Sequence, residues 1–268
     1  MSSPIKLIAT DLDGTLLNSL GKISERNMEV LTKAARLGVS IIINTGRMFA
    51  SAKDFASQLG FHMPLICYNG AMLRGPNGEI LSHLTLDMDI ARQLLSMFRE
   101  RGMYVQSYID DVLFVKDQNE DEAQDYMRFF GVKLHPIGDD IYSPQSAPTK
   151  LLSVTDGLEQ SHELKEELSR LFGTKLYVTS SNSNFVEMMN PGVNKGRGLT
   201  AMANMLTIPM EAVMAIGDGE NDIEMLRLSG IGVAMQNARE IVKETANYIA
   251  PTNDEDGVAW AIEKFVLS

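Results

Sequence analysis

Apolar runs rich in Ile and Val alternate with amphipathic stretches at both ends of the chain, and the alternation breaks off in the middle. Runs of this kind belong to strands buried on both faces, where helices cover the two sides of a parallel sheet. Near the N-terminus they are "IKLIAT" (residues 5–10), "VSIIIN" (39–44) and "PLICY" (64–68). The stretch "SERNMEVLTKAARLG" between the first two predicts a helix with Ser24 at its N-cap and Gly38 just past its end. "FASAKDFASQLG" predicts the helix before the third run, and the pattern resumes near the C-terminus with "AVMAIG", the helix "NDIEMLRLSG", "IGVAM" and "NYIA". The expectation is an α/β fold: one Rossmann-like parallel-sheet core made from residues 1–82 and 191–268.

Between residues 83 and 190 the texture differs. A helix, "DMDIARQLLSMFRERG", leads into "MYVQSYIDDVLFVK", two runs broken by Asp110 and Asp111 in the manner of a hairpin. A further helix near residues 120–130 follows, then the strand "KLLSVT" and the helix "LEQSHELKEELSRLFG". A second hairpin, "KLYVTSSNSNFVEMMN", is expected to turn near Ser181 to Ser183. This order predicts an inserted α/β domain: an antiparallel sheet with helices on one face.

Charge limits the partners. A net charge of -11 over 268 residues opposes binding to nucleic acid, where Lys and Arg must neutralise phosphates, and to an anionic membrane surface. No apolar stretch approaches a membrane span and no basic leader precedes an apolar core, so the cytoplasm is the expected location. Cys67, the only cysteine, sits in "PLICYNG" and reads as a small buried hydrophobe. An anionic ligand would have to be attracted by a local site.

Ligands of open parallel sheets bind beyond the carboxyl ends of the strands. Directly after the first apolar run comes "TDLDGTLLNS", with Asp11 and Asp13 around a single leucine; by itself this is also an ordinary polar turn. Thr45 and Gly46, in "IIINTGR", follow the second run, and Asp218, Asn221 and Asp222 follow "AVMAIG" in "GDGEND". Lys195, in "NPGVNKGRGLTAMANML", opens a helix where the chain returns from the insert. Four carboxylates, Asp11, Asp13, Asp218 and Asp222, would then crowd one crevice against one ammonium, which raises carboxylate pKa values and weakens a fold unless further positive charge is present. Hard oxygen donors with no His or Cys cluster point to Mg²⁺, which shares its shell with water and substrate phosphate. An EF-hand loop is excluded, because its glycine and glutamate positions fall on Leu16 and Lys22 from Asp11, or on Ile223 and Ser229 from Asp218. "GVNKGRG" matches neither a Walker loop nor the dinucleotide fingerprint.

"DLDGT", "NTGR", the lysine of "NKG" and "GDGEND", in that order, resemble the four motifs of the haloacid dehalogenase superfamily. With an α/β insert between the second and third motifs, the layout resembles the superfamily's Cof-type sugar-phosphatase branch, in which the insert is a cap domain. The resemblance implies a phosphatase in which Asp11 attacks phosphorus and forms an aspartyl-phosphate, while Asp13 acts as general acid and then general base. It implies Mg²⁺ between Asp11, the backbone carbonyl of Asp13 and Asp218. The equatorial phosphoryl oxygens would be held by Thr45, Lys195, Asn221 and the backbone N–H groups of Leu12 and Gly46. Asp222 would orient the metal's surroundings from behind.

Two further features carry alternatives. Arg47 either adds positive potential behind the phosphate or is a solvated arginine at a helix start, and Asn69 and Gly70 either line the crevice or form an ordinary Asn-Gly turn. The expected function is a Mg²⁺-dependent phosphatase of small phosphorylated metabolites, sugar phosphates foremost, as a monomer or weak oligomer. A phosphomutase on the same scaffold is the alternative, and a silent ligand binder a further one. A dehalogenase has no use for Asp13 or a metal cage.

Overall fold

The computed structural model describes residues 5–180 and 183–268. They form two compact units: the first takes the residues up to Arg47, Ala52–Ser82 and Asn194–Ser268, the second Met48–Ser51 and His83–Val193. In chain order the elements are β1 (Leu7–Thr10), α1 (Glu25–Arg36), β2 (Ser40–Asn44), α2 (Phe49–Gln58), β3 (Leu65–Cys67), β4 (Met72–Arg74) and β5 (Ile80–His83). Next come α3 (Met88–Arg101), β6 (Gln106–Ile109), β7 (Val112–Val115), α4 (Asp121–Phe130), β8 (Leu134–Pro136), β9 (Lys150–Val154), α5 (Leu158–Phe172), β10 (Tyr177–Thr179) and β11 (Phe185–Met189). The chain closes with α6 (Lys195–Met205), β12 (Val213–Gly217), α7 (Ile223–Leu228), β13 (Ile231–Met235), α8 (Glu240–Lys243), β14 (Tyr248–Ala250) and α9 (Gly257–Ile262).

The larger sheet has eight strands in the order β14-β13-β12-β1-β2-β3-β4-β5. From β14 to β3 every pairing is parallel; β4 then runs antiparallel to β3. The central strands β1 and β12 are buried along their whole lengths, as their unbroken apolar runs require. On one face Leu7, Ala9, Ile42, Ile66, Val213 and Ala215 pack with Leu199 and Met202 of α6 and Met225 of α7. Ser24 caps α1 as expected, its hydroxyl accepting from the Asn27 N–H at 3.1 Å.

The second unit is built on a six-stranded sheet, β10-β11-β9-β6-β7-β8. Asp110 and Asp111 make the turn of the first hairpin with φ of 49° and 62°, left-handed at both central positions as a two-residue hairpin demands. One pair departs from the antiparallel expectation, since β8 lies parallel to β7, which the intervening α4 makes possible. α3 and α5 supply Ile90, Leu94, Phe98, Leu164 and Leu168 to a core shared with Leu151, Val186 and Met188 of the sheet. The expected turn of the second hairpin near Ser181 to Ser183 falls on residues 181 and 182, outside the described residues. Among the described residues no helix is long and apolar enough to cross a membrane.

Candidate active site

β12, β1 and β2 are adjacent, and Thr10 pairs with Ile216 on one flank and Ile43 on the other. The residues that follow, Asp218, Asp11 and Thr45, therefore leave the sheet within about one residue of the same level. Strand neighbours lie roughly 5 Å apart, so side chains from distant parts of the chain meet at this edge.

The meeting point is a buried charge cluster. The Lys195 ammonium lies 2.8 Å from Asp11 Oδ1 and 2.5 Å from Asp222 Oδ1, and none of the three side chains is more than 8% exposed. Carboxylate oxygens of Asp11, Asp218 and Asp222 fall within 4.8 Å of one another. Lys195 is the first residue of α6, whose cap Asn194 accepts from the Arg197 N–H at 2.7 Å. Its carbonyl accepts from Asn44 Nδ2 at the end of β2, 3.1 Å away, which ties the lysine to the sheet edge.

The three acids are not equivalent. Asp222 has one oxygen on Lys195 and the other on the backbone N–H groups of Asp218 and Gly219, both at 2.9 Å. Its lone pairs are committed to shaping the loop. Asp218 Oδ1 accepts from the Thr15 hydroxyl at 2.6 Å. Only glycine fits at position 14, where φ is +75° and a Cβ would sit 2.3 Å from Asp218 Oδ2.

Burial pushes the Asp11 carboxyl well above its ordinary range; Lys195 opposes this, while Asp222, Asp218 and Asp13 add to it. Burial likewise pushes Asp218 up to about 7, with Asp222 adding and Thr15 and Lys195 opposing. Burial works against the Lys195 ammonium, but Asp11 and Asp222 more than offset it and hold it charged. One ammonium thus leaves two acids short of positive charge. Oxygen donors in that condition fit a hard divalent cation, and Asp11 and Asp218 are the two whose oxygens suit it.

The remaining expected residues flank the cluster. Asp13 pairs with Arg47, whose Nε and a terminal nitrogen donate to its two oxygens at 2.7 and 2.5 Å. Arg47 is not a solvated arginine: its side chain is 9% exposed and its guanidinium lies 4.9 Å from the centre of the Phe55 ring. Thr45 is buried, and its hydroxyl oxygen accepts from the Arg47 N–H at 3.1 Å in a tight turn through Gly46. The Leu12 side chain is buried, and its carbonyl accepts from the N–H groups of Thr15 and Leu17, which curls the loop after β1. Asn221 donates through Nδ2 to Asn69 Oδ1 at 2.9 Å. Sequence reasoning gave no role to Thr15 or Asn44. A buried polar residue ending an apolar run was the available signal for Asn44.

A sequence profile of haloacid dehalogenase-like hydrolases matches residues 8–262. The chain belongs to this family. Haloacid dehalogenase-like hydrolases are generally metal-dependent, which agrees with the acidic cluster. Among its relatives is the 5-amino-6-(5-phospho-D-ribitylamino)uracil phosphatase YcsE of Bacillus subtilis, 33% identical over 98% of this chain and 96% of the relative. A haloacid dehalogenase-like hydrolase of Bacteroides thetaiotaomicron is 31% identical and superposes with a TM-score of 0.87 over 97% of this chain and 99% of its own. BT4131, a sugar phosphatase of haloacid dehalogenase subclass IIB, gives 0.85 at 25% identity over 97% and 98%. The Cof-type affiliation and the phosphatase class of the enzyme follow from these matches.

Proposed function

We propose that this chain is a cytoplasmic Mg²⁺-dependent phosphatase of small phosphorylated metabolites, with sugar and polyol phosphates foremost. The observation that carries the reading is the grouping of the buried Asp11 and Lys195 with the half-buried Asp218, and with Asp222 occupied behind them. An Asp11 oxygen attacks phosphorus in line, the ester P–O bond breaks, and the leaving oxygen takes a proton from Asp13. A water then attacks the aspartyl-phosphate and gives its proton to Asp13; the bond from Asp11 to phosphorus breaks, releasing inorganic phosphate. Lys195, Thr45, Asn221 and the N–H groups of Leu12 and Gly46 hold the phosphoryl oxygens, where charge spreads in the transition state. Asp11, Asp218 and the Asp13 carbonyl would hold Mg²⁺, which would supply positive charge to keep Asp11 ionised and to offset the negative charge of the phosphoryl group.

Residues 83–190 are assigned as the cap that reads the leaving group. The substrate class is supported by the relatives' names, one a phosphatase of a phosphoribityl compound and one a sugar phosphatase. Phosphate release from a panel of sugar, polyol and other small phosphoesters, with and without Mg²⁺, tests the reading. Release should need Mg²⁺ and disappear in Asp11→Asn; activity surviving that substitution refutes the nucleophile. Transfer from sugar to sugar with little free phosphate indicates a mutase instead, and tight binding without turnover a silent binder.

A further inference from the structure

We infer that Asn69 is a positioning residue for the phosphate pocket, acting through the Asn221 side chain and the turn at Thr45. The inference rests on the phosphatase reading above. After β3 the chain makes an unusual turn: Tyr68, Asn69 and Gly70 have φ of 52°, 54° and 101°. Left-handed backbone is sparsely populated by residues other than glycine, and asparagine tolerates it better than tyrosine. Such conformations persist where the surroundings fix them, commonly at functional sites.

Three other segments fix this one. The Tyr68 N–H donates to the Arg47 carbonyl and the Asn69 N–H to the Thr45 carbonyl, each at 3.0 Å. Gly70 lies directly on the start of α6, where a Cβ would come within 2.5 Å of the Asn194 carbonyl oxygen, one residue before Lys195. The Asn69 side chain reaches the third segment, accepting from Asn221 Nδ2 across 152 residues of sequence. An Asn-Gly pair in an ordinary turn is exposed and bonds to nearby backbone. Asn69 is instead fully buried.

The consequence for the reaction lies in the Asn221 amide. A primary amide has two N–H groups and rotates about its terminal torsion unless one of them is held. Asn69 holds one and thereby sets the direction of the other, which the proposed function assigns to a phosphoryl oxygen.

The test compares Asn69→Gly, Asn221→Ala and the double variant, with p-nitrophenyl phosphate as substrate and inorganic phosphate as inhibitor. Glycine keeps the left-handed backbone and the N–H bond to Thr45 and removes only the side chain. Asn69→Gly should raise KM and the inhibition constant of phosphate about fivefold to tenfold, the size of one hydrogen bond. In the Asn221→Ala background the same change should add almost nothing, because the two residues act as one. A phosphate inhibition constant left unchanged by Asn69→Gly, or losses that multiply in the double variant, overturns the inference. If Asn69→Gly is recovered unfolded, Asn221→Ser, which leaves Asn69 and its left-handed backbone in place and removes the amide it holds, is compared with Asn221→Ala and wild type: a phosphate inhibition constant equal to that of wild type overturns the inference. Failure of the wild-type protein to release phosphate counts against the phosphatase reading, whereas wild-type turnover with an indifferent Asn69→Gly counts against Asn69 alone.

Discussion

Replacing Lys195 with methionine, a side chain of similar length without the charge, probes the cluster most directly. The ammonium is 2.8 Å from Asp11 and 2.5 Å from Asp222, and it is 1% exposed. Its removal leaves Asp11, Asp218 and Asp222, whose carboxylate oxygens fall within 4.8 Å of one another, without the ammonium that pairs with two of them. Breaking a buried pair by deleting one partner costs about 3–5 kcal/mol, because the remaining charge is uncompensated. For a protein of this size that corresponds to a fall in Tm on the order of 10 °C. The assay is thermal unfolding in chelator at pH 7.5 and pH 5. The sign of the pH effect follows from the two raised acids: Asp218 titrates near 7 in the folded protein against 3.8 for its ordinary value, and Asp11 is raised as well. Folded protein therefore binds more protons than unfolded between those values, and their stabilisation is full below the unfolded pKa and lost as pH rises through the folded one. The Lys195→Met deficit should accordingly shrink at pH 5, where protons replace the missing ammonium. A Tm within about 2 °C of wild type at pH 7.5, or a deficit that grows on acidification, refutes the electrostatic account.

Two other substitutions follow from the same geometry. Gly14→Ala places a Cβ 2.3 Å from Asp218 Oδ2 at a φ of +75°, so Asp218 has to move; it should cost about 1–3 kcal/mol of stability and reduce the Tm increase produced by Mg²⁺, read by a thermal-shift titration. Arg47→Met removes the guanidinium that fixes the orientation of both Asp13 oxygens; if Asp13 protonates the leaving group, loss of that orientation should lower kcat/KM for alkyl phosphates about 10-fold to 100-fold, and much less for p-nitrophenyl phosphate, whose leaving group needs no proton. Equal losses on both esters would remove Arg47 from that role.

The parts of the fold that sequence reveals are those with strong local causes. The Ile- and Val-rich runs of β1, β2 and β12 are buried throughout, Ser24 caps α1, and Asp110 and Asp111 adopt the left-handed turn their position implies. What escaped notice is short or half-exposed. β4 and β8 span three residues each, and β5 begins with the exposed Ile80 and Leu81, so neither length nor alternation marks them. These strands form only because a neighbouring strand offers its edge, which is a tertiary cause.

The same division runs through the site. Asp11, Thr45 and Asp218 were visible because each ends an apolar run, and the end of a buried strand is legible from its own few residues. Their neighbours were not legible in this way, because what defines them is a partner far away in sequence. Thr15 matters through Asp218, 203 residues on, and Asn44 through Lys195, 151 residues on; Asn69 is a candidate from its place after the third apolar run, but its tie to Asn221 is not legible there. Even the central cluster depends on strand order, since β12 lies beside β1 although most of the chain separates them. Local pattern names the residues that leave the sheet, whereas only the crossover that inserts β12 beside β1 makes Asp218 a neighbour of Asp11. The charge on those acids is what ties the two levels together: acids scattered along separate loops would be unremarkable, and gathering them around one buried ammonium creates the deficit that a divalent cation would fill.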